Sequence, residues 1–278
     1  MPCYAPINIP DPKFKSKAIR IEVPCGKCAG CLQSRREDWT NRIMHELEVS
    51  TSAHFITLTY SDENIIFGKT YPTLVKSDLQ NFLKRLRKRI EPNKIRYYAV
   101  GEYGTRTLRP HYHIIMFNLP NNMVEEVELA WQNGYTKIGT VNRSSVHYVT
   151  KYHVNKNIYP EGSEPSFVFM SRKPGIGYNY IDKYRTYHDG QVDRCYILQP
   201  GGIKSRLPRY YKDRLYTEAE REHIAEIARE KSSRWLSDQV VDEHYRKNPD
   251  KNYFEYHQEQ ILDKIRQYKI KTNQTEKL

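Results

Sequence analysis

The stretch "RPHYHIIMFN" occupies residues 109–118. It sets two histidines either side of a tyrosine, directly after a proline and directly before an apolar run. An extended strand sends alternate side chains to opposite faces, so His111 and His113 share one face while Tyr112 takes the other. Two imidazoles on one face are either a polar sheet edge or two ligands of one metal ion. The chain has ten histidines, enough for one such pair to arise by chance, so its neighbours must decide.

Just upstream, "KIRYYAVGEYG" (94–104) reads as a strand, and "YGTRTLRP" is short enough to make it a hairpin neighbour of 111–117. The hairpin would carry the Glu102 carboxylate across to the imidazoles. Two histidines and a carboxylate with open positions suit a divalent cation that polarises an oxygen ligand. The plainer alternative is a pair of solvent-facing histidines with Glu102 closing a turn. Further out, "HFITLTY" (54–60) is a β-branched and aromatic strand. "SDLQNFLKRLRKRI" (77–90) is an amphipathic helix with Ser77 as its expected N-cap. Leu79, Phe82, Leu83, Leu86 and Ile90 form its apolar side. Lys84, Arg85, Arg87, Lys88 and Arg89 form the other, as a solvated face or as one wall of a DNA channel.

"NMVEEVELAWQNG" (122–134) is expected as an acidic helix ending at a glycine, "GYTKIGTV" (134–141) as a strand, and "SSVHYVTKYHVNKN" (144–157) as a helix. The order β-α-β-β-α-β-α predicts an α+β fold, an antiparallel sheet backed by helices on one face, of the ferredoxin-like kind. Residues 32–160 hold this core, opening with a helix over 32–49. Residues 1–31 form a Cys-rich N-terminal segment. In 161–216, "YRTYHDGQVDRCYIL" suggests a hairpin about its Asp-Gly turn. In 217–278 two charged helices are expected: one opens with Thr217 and Glu220 as a capping box, and the other carries Phe254, Ile261, Ile265 and Tyr268 on one stripe.

Composition narrows the partners. The chain has 278 residues, 45 Lys and Arg against 33 Asp and Glu, a net charge of +12 and a pI near 9.3. That excess favours a polyanion such as nucleic acid. No apolar run of about 18 residues is present to span a bilayer, and the first residues lack the apolar core of a signal peptide, which points to a soluble, non-secreted protein without a membrane partner. Tyrosine outnumbers phenylalanine 23 to 8. This is either a supply of stacking faces for bases or the codon bias of an AT-rich genome.

Cys25, Cys28 and Cys31 are spaced C-x₂-C-x₂-C, with Cys3 available as a fourth thiolate. Structural zinc is the preferred reading, against an iron–sulfur cluster or free thiols. Tyr148 and Tyr152 lie four apart on one helix face, with Lys151 between them. In "MSRKPGIG" (170–177), Arg172 and Lys173 precede a glycine-rich turn, as a strand-gripping loop or an ordinary surface turn.

Together these motifs resemble the HUH endonuclease superfamily in its two-tyrosine form. "HYH" resembles its histidine motif, "FITLTY" its first motif and "YVTKY" its tyrosine motif. "PCGKCAGC", "GEYG", "RPHYH", "YVTKYHVNK", "MSRKPGIG" and "LPRYYKDRL" are similar to the replication initiators of gokushovirus-like Microviridae, single-stranded DNA phages. The resemblance implies that His111, His113 and Glu102 ligate Mg²⁺ or Mn²⁺, imidazole favouring Mn²⁺. It implies Tyr148 and Tyr152 as nucleophiles that leave a 5′-phosphotyrosine and a free 3′-OH at a nicked origin and later rejoin the ends, with Lys151 steadying a charged oxygen. Lys84, Arg85, Arg87, Lys88, Arg172 and Lys173 would contact DNA. The implied partners are phage origin DNA, single-stranded or supercoiled duplex, with a host helicase and DNA polymerase, in the host bacterial cytoplasm. Rival readings are a non-catalytic single-strand-binding module, a plasmid relaxase or transposase of the same superfamily, and a nuclease that uses water.

Overall fold

The computed structural model describes residues 3, 5–11, 18–104, 106–154, 159–233 and 238–253, and beyond them 255–256, 258–260, 262–263 and 266–267. In chain order its elements begin with β1 (Ile7–Pro10), β2 (Arg20–Val23), α1 (Ala29–Leu47), β3 (Ala53–Tyr60), α2 (Lys76–Arg89), β4 (Arg96–Tyr103) and β5 (Pro110–Phe117). There follow α3 (Glu126–Ala130), β6 (Gly134–Thr140), α4 (Arg143–Val154), β7 (Phe167–Met170) and α5 (Asn179–His188). The last are β8 (Tyr196–Leu198), β9 (Lys204–Arg206), α6 (Arg209–Leu215), α7 (Glu218–Ser233) and α8 (Asp238–Lys247). The chain divides into two units, Arg35–Arg185 and Met1–Ser34 with Thr186–Leu278.

The first unit holds a five-stranded sheet in the order β6-β3-β5-β4-β7, with every neighbouring pair antiparallel. Its first four strands follow the ferredoxin-like order, and β7 extends the sheet beside β4. The central strand, β5, is bounded by β3 and β4, and residues 114–117 of it are fully buried. Ile114 and Met116 pack with Leu79, Phe82, Leu83 and Leu86 of α2 and with Val127 and Ala130 of α3. Ile115 and Phe117 pack with Ile43 of α1 and with Val146 and Val149 of α4. Helices therefore cover both faces of the sheet rather than one, and the uninterrupted apolar run "IIMF" is the physical reason: a strand buried on both sides has no polar face to alternate with.

Three local expectations are corrected. Helix α2 starts at Lys76 with Val75 as its N-cap residue and no side-chain cap, so Ser77 is not the cap. Buried phenols instead hold the chain just before the helix: Tyr112 Oη accepts the Val75 N–H at 3.0 Å and Tyr103 Oη accepts the Leu74 N–H at 3.0 Å. The acidic helix shrinks to α3, because Trp131 turns inward against Tyr60 and Phe82 and its Nε1–H donates to Thr59 O at 3.1 Å. Gly134 then opens β6 instead of capping a helix; its φ is +149°, and a Cβ there would lie 2.2 Å from Ser61 N. Finally, "YRTYH" belongs to α5, and Gly190 (φ +63°) follows the helix end instead of turning a hairpin. The hairpin of this region pairs β8 with β9 across Gly201-Gly202, both at positive φ.

In the second unit β1 and β2 form an antiparallel pair. The capping box before α7 is present: the Thr217 N–H donates to Glu220 Oε2 at 2.7 Å and the Glu220 N–H to Thr217 Oγ1 at 3.3 Å. Phe254, Ile261, Ile265 and Tyr268 lie outside the described residues. Among the described residues no helix is long and apolar enough to cross a membrane.

Candidate active site

The register of β4 against β5 sets Glu102 opposite His111 and Val100 opposite His113. The three chemical side chains thus emerge on the face that α1 and α4 cover, at the Tyr103 end of the strands. Glu102 is only 2% exposed. Its Oε1 meets His111 Nε2 and His113 Nε2, each at 2.8 Å, and accepts a hydrogen bond from Tyr148 Oη at 3.0 Å. Its Oε2 is buried and has no hydrogen-bond partner among the described residues. Burial pushes the Glu102 carboxyl up, but hydrogen bonds and charge from His111 and His113 outweigh it and hold the group at about 2.

These residues fit a cation. One ligand atom from each of Glu102, His111 and His113 falls within 4.8 Å of the others. His111 Nδ1 lies 3.0 Å from the Arg109 carbonyl, which can only accept, so that nitrogen carries the proton. In the neutral ring Nε2 is then a lone pair aimed at a carboxylate, an arrangement resolved either by a second proton on the ring, which lets Nε2 donate to Glu102, or by a cation between them. The unpartnered Oε2 is a second donor atom in want of a positive charge. His113 is oriented by Thr57, whose Oγ1 is 3.0 Å from Nδ1, and by Phe55, stacked on its ring at 5.4 Å between centroids.

Tyr148 stands on α4, 36% exposed, its ring edge-on to His113 at 5.1 Å and its hydroxyl 3.5 Å from His113 Nε2. Val146 and Val149 anchor that helix in the core, and Thr150 Oγ1 lies 3.2 Å from Thr40 Oγ1 of α1. Lys151 is 4% exposed. Tyr152 follows Tyr148 by one turn of α4, and its side chain is outside the described residues.

The expected DNA contacts are not at this site. Lys84, Arg85, Arg87 and Lys88 belong to α2, on the opposite face of the sheet. Arg85 Nε donates to the Ala130 carbonyl at 2.8 Å, which ties it to α3. Arg172 and Lys173 are exposed on the turn after β7. Thr57, Phe55 and the Arg109 carbonyl were not anticipated as site groups. The alternation in "FITLTY" does put Phe55 and Thr57 on one strand face, and only the pairing of β3 with β5 reveals that the face is that of His113.

In the other unit, Cys3, Cys25, Cys28 and Cys31 bring their sulfurs within 4.8 Å of one another. The backbone N–H groups of Lys27 and Cys28 donate to Cys25 Sγ at 3.4 and 3.3 Å and lower that thiol's pKa. Burial chiefly pushes the Cys31 thiol up, to about 12. Four clustered sulfurs, one already served by two amides, fit a tetrahedral thiolate site.

Fold and site together describe an antiparallel α+β protein with two histidines, a carboxylate and a helical phenol gathered at one end of its sheet. The family model for replication-associated protein ORF2/G2P matches residues 53–157, which contain all of these groups. Replication-associated protein ORF2 of Spiroplasma virus 4 is 30% identical over 242 residues, covering 78% of this chain and 75% of its own. Replication-associated protein VP4 of Bdellovibrio phage phiMH2K is 29% identical over 248 residues, covering 77% and 76%. Replication-associated protein ORF4 of Chlamydia phage 1 is 24% identical, covering 72% of this chain and 55% of its own. The chain belongs to this family, the replication-associated proteins of Microviridae-type phages. A solved structure of the N-terminal nuclease domain of minute virus of mice non-structural protein 1 covers 69% of this chain and 98% of its own at 8% identity, with a TM-score of 0.23, a likeness too slight to bear on the site.

Proposed function

We propose that this chain initiates rolling-circle replication by nicking origin DNA through tyrosine attack, acting on single-stranded or supercoiled duplex phage DNA in the host bacterial cytoplasm. The observation that carries the reading is the Tyr148 hydroxyl, 3.0 Å from the oxygen that both histidines contact. A phenol beside a three-ligand cluster is a nucleophile beside the place where a phosphodiester can be made electrophilic. Glu102, His111 and His113 would hold Mg²⁺ or Mn²⁺, which when bound supplies charge to polarise a phosphate oxygen.

The phenol oxygen of Tyr148 bonds to phosphorus as the bond from phosphorus to the 3′ oxygen breaks. The strand is left with a 5′-phosphotyrosine and a free 3′-OH that primes synthesis. With His113 Nε2 committed to the cation, the Glu102 carboxylate, which keeps spare lone pairs, is the acceptor within reach of the phenol proton, and that proton passes on to the departing 3′ oxygen. Lys151, buried three residues further along α4, lends positive charge to the phenolate or to the departing oxygen. Phosphodiester energy is kept in the phosphotyrosine, so Tyr152, one turn on, can serve the rejoining step without a nucleotide cofactor. The four cysteines hold structural Zn²⁺. The exposed 3′-OH and the displaced strand imply a host polymerase and helicase as partners.

The test is a nicking assay on single-stranded phage origin DNA with Mn²⁺, followed by digestion and mass spectrometry of DNA-linked peptides. A phosphotyrosyl adduct on Tyr148, lost in His111→Ala, is expected. Cleavage without an adduct replaces the tyrosine with water, and tight binding without cleavage leaves a single-strand-binding module.

A further inference from the structure

Within the Arg35–Arg185 unit a groove of about 1030 Å³ lies between the end of α2, the start of β4 and the turn after β7. Arg87, Lys94, Arg172 and Lys173 line it from three separate segments, with Glu91 as the one carboxylate among its lining residues. Arg96, also in the lining, is paired with Glu46. Tyr97 and Phe169 are half-buried in the groove, on β4 and β7, and both pack toward the α2 face of the sheet. In the register of those strands Phe169 is opposite Ala99, so the two rings are diagonal neighbours on one face. The Arg87 guanidinium lies 5.4 Å from the centre of the Tyr97 ring.

The groove is built in advance. Arg42 Nε donates to the Ile176 carbonyl at 3.0 Å and the Gly177 N–H donates to Glu46 Oε2 at 2.6 Å, so α1 pins the glycine turn that follows Arg172 and Lys173. Tyr97 and Ser171 bind each other twice: the Tyr97 N–H donates to Ser171 Oγ at 3.1 Å and the Ser171 N–H to the Tyr97 carbonyl at 3.0 Å. Little ordering remains for a ligand to impose. Tyr97 is five residues from Glu102 along β4, about 17 Å at strand rise and on the other face of the sheet.

We infer that this groove is a second DNA-holding surface, remote from Tyr148, that grips a single strand. Four cations with one opposing carboxylate suit a phosphate backbone. Paired bases hide their ring faces, whereas unpaired ones can lie against Tyr97 and Phe169, so the aromatic floor selects the single strand over the duplex. This rests on DNA being the chain's substrate, as proposed above, and the helix and loop cations that are far apart in sequence act here as one site.

The test titrates the full chain against a fluorescent single strand of about 16 nucleotides, by anisotropy, with no Mg²⁺ or Mn²⁺ added and salt raised from about 50 to 200 mM. Arg172→Ala combined with Lys173→Ala removes two phosphate contacts from exposed positions. It should flatten the slope of log affinity against log salt by about 1.4. Tyr97→Leu should weaken single-strand binding about tenfold and leave the weaker duplex binding unchanged. An unaltered salt slope in the double variant overturns the groove, as does duplex that competes as well as single strand. Because binding is read without cleavage or added Mg²⁺ or Mn²⁺, the two readings fail separately. A chain that nicks with an unaltered slope sinks only the groove, and one that binds as expected without nicking sinks only the initiator mechanism.

Discussion

Glu102 presents one oxygen to three partners and the other, among the described residues, to none. That asymmetry makes its ionisation a stability term in metal-free protein. Its folded pKa, about 2, is below the ordinary carboxylate value of 4.5, so the stabilisation is complete above pH 4.5 and is lost as pH falls toward 2. Without added Mg²⁺ or Mn²⁺, wild type should resist urea better than Glu102→Gln at pH 7, by up to about 3 kcal/mol, and the margin should shrink steadily between pH 4.5 and 2. A margin that does not change with pH would mean the histidines do not hold the carboxylate charged. Thr57 offers a second residue-scale test. Thr57→Val leaves His113 Nδ1 without its oxygen and should weaken Mn²⁺ binding, followed by calorimetry, some 10- to 100-fold, while Thr57→Ser should restore it. His111, His113 and Glu102 were legible because strand alternation and a short hairpin are local rules. Thr57 was not, since its partner lies 56 residues away and only the β3–β5 register joins them.

Among the elements, α2 shows how a long-range contact replaces a local one. Ser77 satisfied the sequence rule for a cap, yet the helix begins two residues earlier, after a Leu74-Val75 segment whose N–H groups are accepted by Tyr103 and Tyr112. Tyr112→Phe should cost about 1 kcal/mol in urea unfolding, since it strands the half-buried Val75 N–H, and should hasten hydrogen exchange at that amide. Unchanged exchange there would mean that the phenol does not hold the entry to α2. The strands and the α2 and α4 helices were readable from period and β-branching. Asp189-Gly190 misled because a glycine at positive φ ends a helix as readily as it turns a hairpin, and the Tyr180–Tyr184 pair, 4.6 Å apart, marks the helical period before it. The two-sided burial of β5 follows from the unbroken apolar run "IIMF", which has no polar face to alternate with.

At the scale of the whole chain, a +12 charge pointed to nucleic acid, but only the fold shows where the cations congregate and which of them are already engaged. The four cysteines extend the same lesson to metal: spacing collected three of them, and folding brings Cys3 across to complete the group. With Cys31 held protonated by its burial, zinc uptake should release protons, and zinc affinity should rise with pH. Calorimetry in two buffers of different ionisation enthalpy measures that release, alongside a metal content of about one zinc per chain. Binding with no proton released would contradict it.

The position of β5 carries one more consequence. His111 and His113 ride the central strand of the five, with helices over both faces, and Glu102 rides the strand beside it. Amides so placed are freed only when the entire domain opens. The ligand constellation should therefore have no softening point of its own: as the protein is heated, its capacity to hold a cation should vanish together with its tertiary structure, and what wears out first will be reach and grip at the periphery, never the chemistry at the centre.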